Sequence, residues 1–372
     1  MITKNYRIPD YKLNYPLQEK VKPEDVLFLD IETTGFSAAT SSIYLIGCCF
    51  YKNGEWDITQ WLCESLPGGD SREEEILLKT FLSFLKDYKT LIHFNGNRFD
   101  LPFIEKRCEK YGLKISFSDF DGIDIYKRVY PYRYFLHLAN CKQKTMEEFM
   151  GIQRTDRYSG GELIHVFRSF CDTHDDEAME LLLQHNRDDV YGMLRLLPIL
   201  SYVDFYHDDF HVNRVEIETD KDVFGKDVKE ANIYFSSSVV LPRPVSCHGM
   251  DCYFTGKNSK GLIKVPVFEE EMKYFYSDYK NYYYLPGEDM AIHKSVAAYV
   301  DPAFREQATA ANCYTRKYAE YLPQWDTVFT PFFKREYQSP NLFFELTDKF
   351  KNNREAFNTY IHHILNMMIA NH

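Results

Sequence analysis

The stretch Val26-Leu27-Phe28-Leu29-Asp30-Ile31-Glu32-Thr33-Thr34-Gly35 constrains the chain more than any other. Four consecutive apolar residues read as a buried strand, and Thr33, Thr34 and Gly35 end it. Residues i and i+2 of a strand share one face, so Asp30 and Glu32 present two carboxylates side by side at the strand end. Carboxylates this close repel each other unless a cation lies between them. Hard oxygen donors at such spacing suit Mg²⁺ or Mn²⁺. Asp-x-Glu also occurs on ordinary surface strands, so the weight of this reading rests on what else the chain supplies.

At 372 residues the chain is long enough for two domains with real cores. Aromatic residues make up 16%, with 29 Tyr and 29 Phe, which excludes a disordered chain. The net charge of −11 argues against coating nucleic acid through bulk basic charge, but leaves room for an enzyme that approaches it through metals and a local basic rim. Nine scattered Cys without C-x-x-C pairs are expected to be free thiols in a reducing compartment. The polar N-terminus lacks a signal core, and no apolar run approaches the roughly eighteen residues of a membrane span. A cytoplasmic protein with no membrane partner is expected.

In chain order, residues 1–22 read as a polar arm over the surface. Three strands follow near 25–32, 42–51 and 56–63, with Asn53-Gly54 as a hairpin turn between the last two. Ser71-Arg72-Glu73-Glu74-Glu75 opens a helix with an acidic first turn, and Ile76, Leu77, Phe81, Leu82, Phe84 and Leu85 follow helical spacing. A short strand leads into Asn95-Gly96-Asn97-Arg98-Phe99-Asp100, and Asp100 opens a helix, where a plain capping role competes with a functional one. A further strand is expected around 115–117 or beyond, and Asp124 reads as a helix cap rather than a ligand. Lys127, Arg128, Arg133, Lys142, Lys144, Arg154 and Arg157 form the most basic stretch, either a solvated face or a phosphate-contacting rim. A long helix near 176–196 carries His185-Asn186-Arg187-Asp188-Asp189. His185 and Asp189, four apart, share one helix face.

These segments resemble the DEDD-type 3′–5′ exonuclease superfamily, which has an RNase H-like fold. Its Asp-x-Glu-Thr motif is present as Asp30-Ile31-Glu32-Thr33, its Asn-x-x-x-Phe-Asp motif as Asn95 to Phe99-Asp100, and its third as His185-x-x-x-Asp189. Within the superfamily the chain is most similar to the YprB-like bacterial group, whose Tyr-Asn-x-x-Asp-Val reads here as His185-Asn186-Arg187-Asp188-Asp189-Val190. His185 therefore takes the tyrosine position. Asp188 remains an alternative ligand, with Asp189 preferred for its i, i+4 partner and its Val190 neighbour.

The resemblance covers about residues 22–200 and implies an α/β RNase H-like mixed sheet flanked by helices over 23–205. It implies two divalent cations, Mg²⁺ or Mn²⁺, ~4 Å apart. Asp30 would bridge them, Glu32 and Asp189 would complete the nucleophile-side ion, and Asp100 would hold the leaving-group ion. His185 would orient or deprotonate the water, while Thr33, Asn95 and Phe99 would contact substrate. The implied activity is 3′–5′ exonucleolytic hydrolysis of DNA or RNA, on a strand that is single or has a free 3′ end. A structure-specific endonuclease and a binding protein with a degenerate site are the alternatives.

Residues 206–372 read as a smaller α+β domain of unknown role. Strands are expected near 212–219, 231–241, 251–255, 261–267 and 274–276, and helices near 288–300, 302–320 and 341–369. The aromatic cluster Tyr274 to Tyr284 is read as packing in preference to base stacking. Cys247, His248 and Cys252 are too few for zinc.

Overall fold

The strand that carries the two carboxylates lies inside a six-stranded mixed sheet. The computed structural model describes residues 1–66, 71–154, 158, 160–221, 224–225 and 227–370. The chain divides into two units, Met1–Val203 and Asp204–His372.

In the first unit the strands are β1 (Ile2–Ile8), β2 (Val26–Thr33), β3 (Ile43–Lys52), β4 (Glu55–Leu62), β5 (Thr90–His93) and β6 (Asp121–Asp124), in spatial order β1-β4-β3-β2-β5-β6. The β2–β3–β4–β1 half is antiparallel, and β5 and β6 add parallel to β2. Asn53 and Gly54, both at positive φ, turn β3 into β4. Residues 2–8, expected within a surface arm, are instead the edge strand. Ile2, Tyr6 and Ile8 alternate with Thr3, Asn5 and Arg7, and the strand registers from Ile2 opposite Leu62 to Ile8 opposite Trp56. The strand expected around 115–117 lies later, at β6, because the backbone that can extend β5 in parallel is Asp121–Asp124.

The helices are α1 (Glu73–Leu85), α2 (Asp100–Lys110), α3 (Ile125–Val129), α4 (Gln143–Met150), α5 (Gly160–Thr173) and α6 (Asp176–Leu196). One core joins Leu27, Leu29 and Ile31 of β2 to Leu77, Leu78 and Phe81 of α1, Phe103 and Ile104 of α2, and Phe167 of α5. Tyr44 of β3 stacks on Phe167 with ring centroids 4.0 Å apart. Helix α6 crosses β2, β3 and β4. A buried ion pair ties α1 to α2: Arg107 donates to Glu74 at 2.7 and 2.5 Å, to the Ala38 carbonyl and to the Ser42 hydroxyl. Glu74 also accepts from the Ile43 N–H at 2.9 Å and the Tyr111 hydroxyl at 2.8 Å.

In the second unit an eight-stranded antiparallel sheet is built on the long strand Lys260–Phe275, and three short strands, Tyr282–Leu285, Met290–His293 and Glu306–Gln307, form another. The helix expected over 302–320 is absent among the described residues. Tyr314–Gln324 is a strand between Lys260–Phe275 and Leu342–Glu345, and the charged, Ala-containing sequence before it turns into 3-10 and irregular structure. Of the expected 341–369 helix, Arg354–Ala370 is helical and Leu342–Glu345 is a strand. Tyr276, Tyr279, Tyr282 and Tyr284 pack against Ala291, Ala308 and Cys313, as the packing interpretation requires. Cys247 is buried and His248 exposed on adjacent positions of one strand, so they point to opposite faces. All nine cysteines are free thiols, and no helix among the described residues is long and apolar enough to cross a membrane.

Candidate active site

Register sets the floor of the site. Asp30 pairs with Gly47 across β2–β3, and Gly47 pairs with Gln60 across β3–β4. These three residues form a row across three strands beneath α6. Asn186 of α6 lies along that row, donating to Asp30 Oδ2 at 2.8 Å and accepting from Gln60 Nε2 at 2.7 Å. Gln60 also donates to the Leu183 carbonyl at 3.0 Å. Glycine at 47 is a requirement of close approach, since a Cβ there would sit 1.9 Å from Asn186 Oδ1.

Motif two reaches the same place from the other side. Asn95 takes a positive φ of 60° after β5. The turn is held by Asp124, whose carboxylate accepts from the Asn95 N–H at 3.0 Å and the Asn97 N–H at 3.4 Å, and by His93 Nδ1, which accepts from the Gly96 N–H at 3.1 Å. Asp124 also caps α3 by accepting from the Lys127 N–H, so the capping role expected for it holds. Asp100 differs from the capping interpretation. It is the first residue of α2 and its Oδ1 accepts from the Ile31 N–H at 3.3 Å, between the two carboxylates of motif one.

Motif three comes from α6. His185 Nε2 lies 3.6 Å from Glu32 Oε1 and 3.4 Å from Asp189 Oδ2. Ligand atoms of Glu32, His185 and Asp189 all fall within 4.8 Å of one another. Asp188 turns away from the cavity and accepts from Gln184 Nε2 at 2.8 Å, which leaves Asp189 as the acid on the cavity side. Asp189 carries a second contact that sequence reasoning missed. Arg154, just beyond α4, pairs with its carboxylate and with buried Glu147, and Gly192 leaves the room that Glu147 needs, since a Cβ would meet Glu147 Oε1 at 2.2 Å. The general basicity of residues 127–157 was the only sequence signal for Arg154. Asn186 was visible only as part of the third motif. Arg157 lies outside the described residues.

Asp30, Glu32, Asn95, Phe99, Asp100, His185 and Asp189 all line one cavity of about 730 Å³. The same cavity is also lined by Phe94, Tyr126, Tyr130, Arg133, Tyr134 and Lys142, among others. Thr33 does not line it. A register shift follows Glu32, and the Thr33 hydroxyl donates to the Gly35 carbonyl at 2.9 Å.

Burial pushes the Asp30 carboxyl well above the usual range, and the charges of Asp189, Asp100 and Glu32 push it further, against the Asn186 hydrogen bond. Burial likewise raises Asp100 to about 7, opposed by the backbone N–H groups it accepts from. Such a cluster is poorly neutralised by the chain alone. Its donor set of four carboxylates and one imidazole fits hard divalent cations such as Mg²⁺ or Mn²⁺. Asp30, Glu32, Asp100 and Asp189 are the residues that would hold them.

Residues 27–201 match a family model described as the RNase_H superfamily, and the first unit has an RNase H-like fold. The DNA polymerase of Thermococcus hydrothermalis is 35% identical over 98 residues, covering 24% of this chain and 6% of that protein. The DNA polymerase of Thermococcus sp. (strain 9oN-7) is 36% identical over 99 residues, covering 24% and 12%. The chain thus spans a small fraction of the curated relatives it matches. Among solved structures, the family B DNA polymerase of Pyrobaculum calidifontis aligns with a TM-score of 0.38 at 18% identity, over 49% of this chain and 26% of that one. E. coli exonuclease I in complex with a dT13 oligonucleotide aligns with a TM-score of 0.31 at 13% identity, over 57% and 55%.

Proposed function

We propose that this protein is a metal-dependent nuclease that hydrolyses phosphodiester bonds of DNA or RNA from a free 3′ end. The observation that carries the proposal is the convergence of Asp30, Glu32, Asp100, Asp189 and His185, from three separated segments, on one cavity. The sequence likeness to DNA polymerases supports nucleic acid as the substrate. The His185-Asn186-x-x-Asp189-Val190 string supports a place in the YprB-like group, and the nine free cysteines support a cytoplasmic site of action.

Two divalent cations held by the four carboxylates would supply Lewis-acid charge at the phosphoryl oxygens and a more acidic water. The chain's own residues do the rest. Asn186 fixes the Asp30 carboxylate through its 2.8 Å hydrogen bond and is itself fixed by Gln60. Arg154 fixes one oxygen of Asp189, leaving the other toward His185. His185, with Nε2 facing Glu32 and Asp189, is the residue to orient the attacking water and accept its proton. Asn95 and Phe99 shape the cavity beside Asp100 for the terminal nucleotide.

The test is cleavage of end-labelled single-stranded DNA and RNA in Mg²⁺ and in Mn²⁺, with Asp30→Ala and a chelator as controls. The expected result is a ladder shortening from the 3′ end that both controls abolish. Internal cuts would replace the exonuclease with an endonuclease. Cleavage that survives Asp30→Ala would refute the site.

A further inference from the structure

We infer that His93 is a positioning residue: its neutral ring holds the motif-two turn, and protonation of that ring releases the turn together with the start of α2. The latch rests on its own geometry, and its use in turnover rests on the nuclease reading.

The ring sits where two strands end. His93 closes β5 and is in register with Asp124 at the end of β6. It is fully buried, and the backbone of residue 96 lies directly against it, since a Cβ on Gly96 would sit 2.8 Å from His93 Nδ1. That nitrogen faces two groups of opposite demand. The Gly96 N–H lies 3.1 Å away and needs a lone pair, while Asp124 Oδ2 lies 3.8 Å away and can take a proton. With the Gly96 bond made, Nδ1 is the acceptor, and the single proton of the neutral ring lies on Nε2. Nε2 has no hydrogen-bond partner among the described residues, so the ring is held through Nδ1.

Protonation reverses the role of Nδ1, because both nitrogens of a charged ring are donors. The Gly96 N–H then faces another donor and loses its partner. A movement of about 1 Å brings Nδ1 into charge-assisted hydrogen-bond range of Asp124 Oδ2. That oxygen accepts from the Asn97 N–H at 3.4 Å, the longest of the three backbone bonds to Asp124, and the new bond competes with it. The ring therefore holds the turn in one protonation state only. Release reaches the cavity along the backbone. The Gly96 carbonyl accepts from the N–H groups of Phe99 at 3.3 Å and Leu101 at 3.0 Å, on either side of Asp100. Asn95, Phe99 and Asp100 line the cavity. Asp124 is the charged group that faces the ring, and burial outweighs it, which holds His93 below the usual histidine range. The turn is thus latched at neutral pH.

The test is NMR spectroscopy of the ¹⁵N-labelled full chain with Mg²⁺ present, between about pH 4 and pH 8. The assigned His93 ring nitrogens are expected to show Nε2–H alone at the neutral end and both N–H groups at the acid end. Protection of the Gly96 amide from solvent exchange, taken relative to its intrinsic rate at each pH, is expected to fall about 2- to 10-fold with the same midpoint. The Phe81 amide, in the middle of α1, is expected to show no such step. His93→Asn offers a non-titrating oxygen near the Nδ1 position, and is expected to keep the Gly96 protection and abolish its step. An Nδ1–H tautomer near pH 8, a ring still neutral at pH 4, Gly96 protection that ignores the His93 titration, or a step that survives in His93→Asn overturns the latch. Should His93→Asn not fold, the wild-type tautomer and the coincidence of the two midpoints decide. A working latch in a protein that cuts no strand would instead sink the nuclease reading and leave the latch standing.

Discussion

Asp100→Asn tests whether the carboxylate cluster stores the repulsion that its geometry implies. The substitution removes the charge but keeps an oxygen that can accept from the Ile31 N–H, the side-chain hydrogen bond at 3.3 Å. Burial raises the Asp100 carboxyl from 3.8 to about 7. A carboxyl whose folded pKa is raised keeps its proton in the native state while the unfolded chain has lost it. Stability therefore falls as pH rises between about 4 and 7, and the penalty is fully present above that window. At 1.36 kcal/mol per unit the raised Asp100 pKa costs the native state about 4 kcal/mol near pH 8 and under about 2 kcal/mol near pH 5. Asp100→Asn is therefore expected to stabilise the first unit in chelator by up to about 4 kcal/mol near pH 8, and by less than half of that near pH 5. Asp30, pushed up partly by Asp100, shares the relief. The assay is urea denaturation in a Trp325→Phe background, where Trp56 and Trp61 report on the first unit alone. Mg²⁺ or Mn²⁺ at a hundred times its dissociation constant should stabilise the parent by about 2.7 kcal/mol, and the variant by less. An effect of equal size at both pH values, or a destabilised variant near pH 8, would refute the electrostatic reasoning.

Further substitutions probe the scaffold. Gly47→Ala forces Asn186 off Asp30, because the new Cβ would lie 1.9 Å from Asn186 Oδ1. Turnover should drop by roughly 10- to 100-fold, Asn186→Ala should do the same, and the double variant should be no worse than either. Arg107→Met leaves Glu74 buried with only the Ile43 N–H and the Tyr111 hydroxyl, and should cost about 3–5 kcal/mol in the same denaturation assay. Arg154→Met strands buried Glu147 as well as Asp189 at similar cost, and adding Glu147→Gln should restore much of the lost stability. Failure of that second change to restore anything would mean that Arg154 matters through Asp189 alone.

Much of the first unit was legible because its signals are local. The apolar run before Asp30 fixes a buried strand, Asn53-Gly54 fixes a hairpin, and the spacing of Ile76, Leu77, Phe81, Leu82 and Leu85 fixes a helix. Strand β1 was not legible. An edge strand with one face in solvent needs only three apolar residues in seven, and its partner β4 is more than forty residues away. The second unit was misread where Tyr314–Gln324 lies. Arg316, Lys317 and Tyr318 are exposed in succession there, so the alternation that marks a half-buried strand is missing, and only pairing on both sides holds the segment extended.

The site divides along the same line. The carboxylates proposed as ligands could be picked out because i, i+2 or i, i+4 spacing fixes a shared face, and the structure brings them to one cavity. The parts that hold those carboxylates could not, since each is defined by register between distant segments. Gly47 carries no signal of its own: it matters because it stands opposite Asp30 on one side and Gln60 on the other, where a helix side chain must pass. The same holds for Gly192, whose missing side chain admits Glu147 and so brings Arg154 to Asp189. Two glycines thus set the positions of two of the four carboxylates through the side chains they admit, Asn186 beside Asp30 and Glu147 with Arg154 beside Asp189. A substitution at each should impair the site while leaving every carboxylate of the cluster in the sequence, and a search for those carboxylates alone would score such a variant as intact.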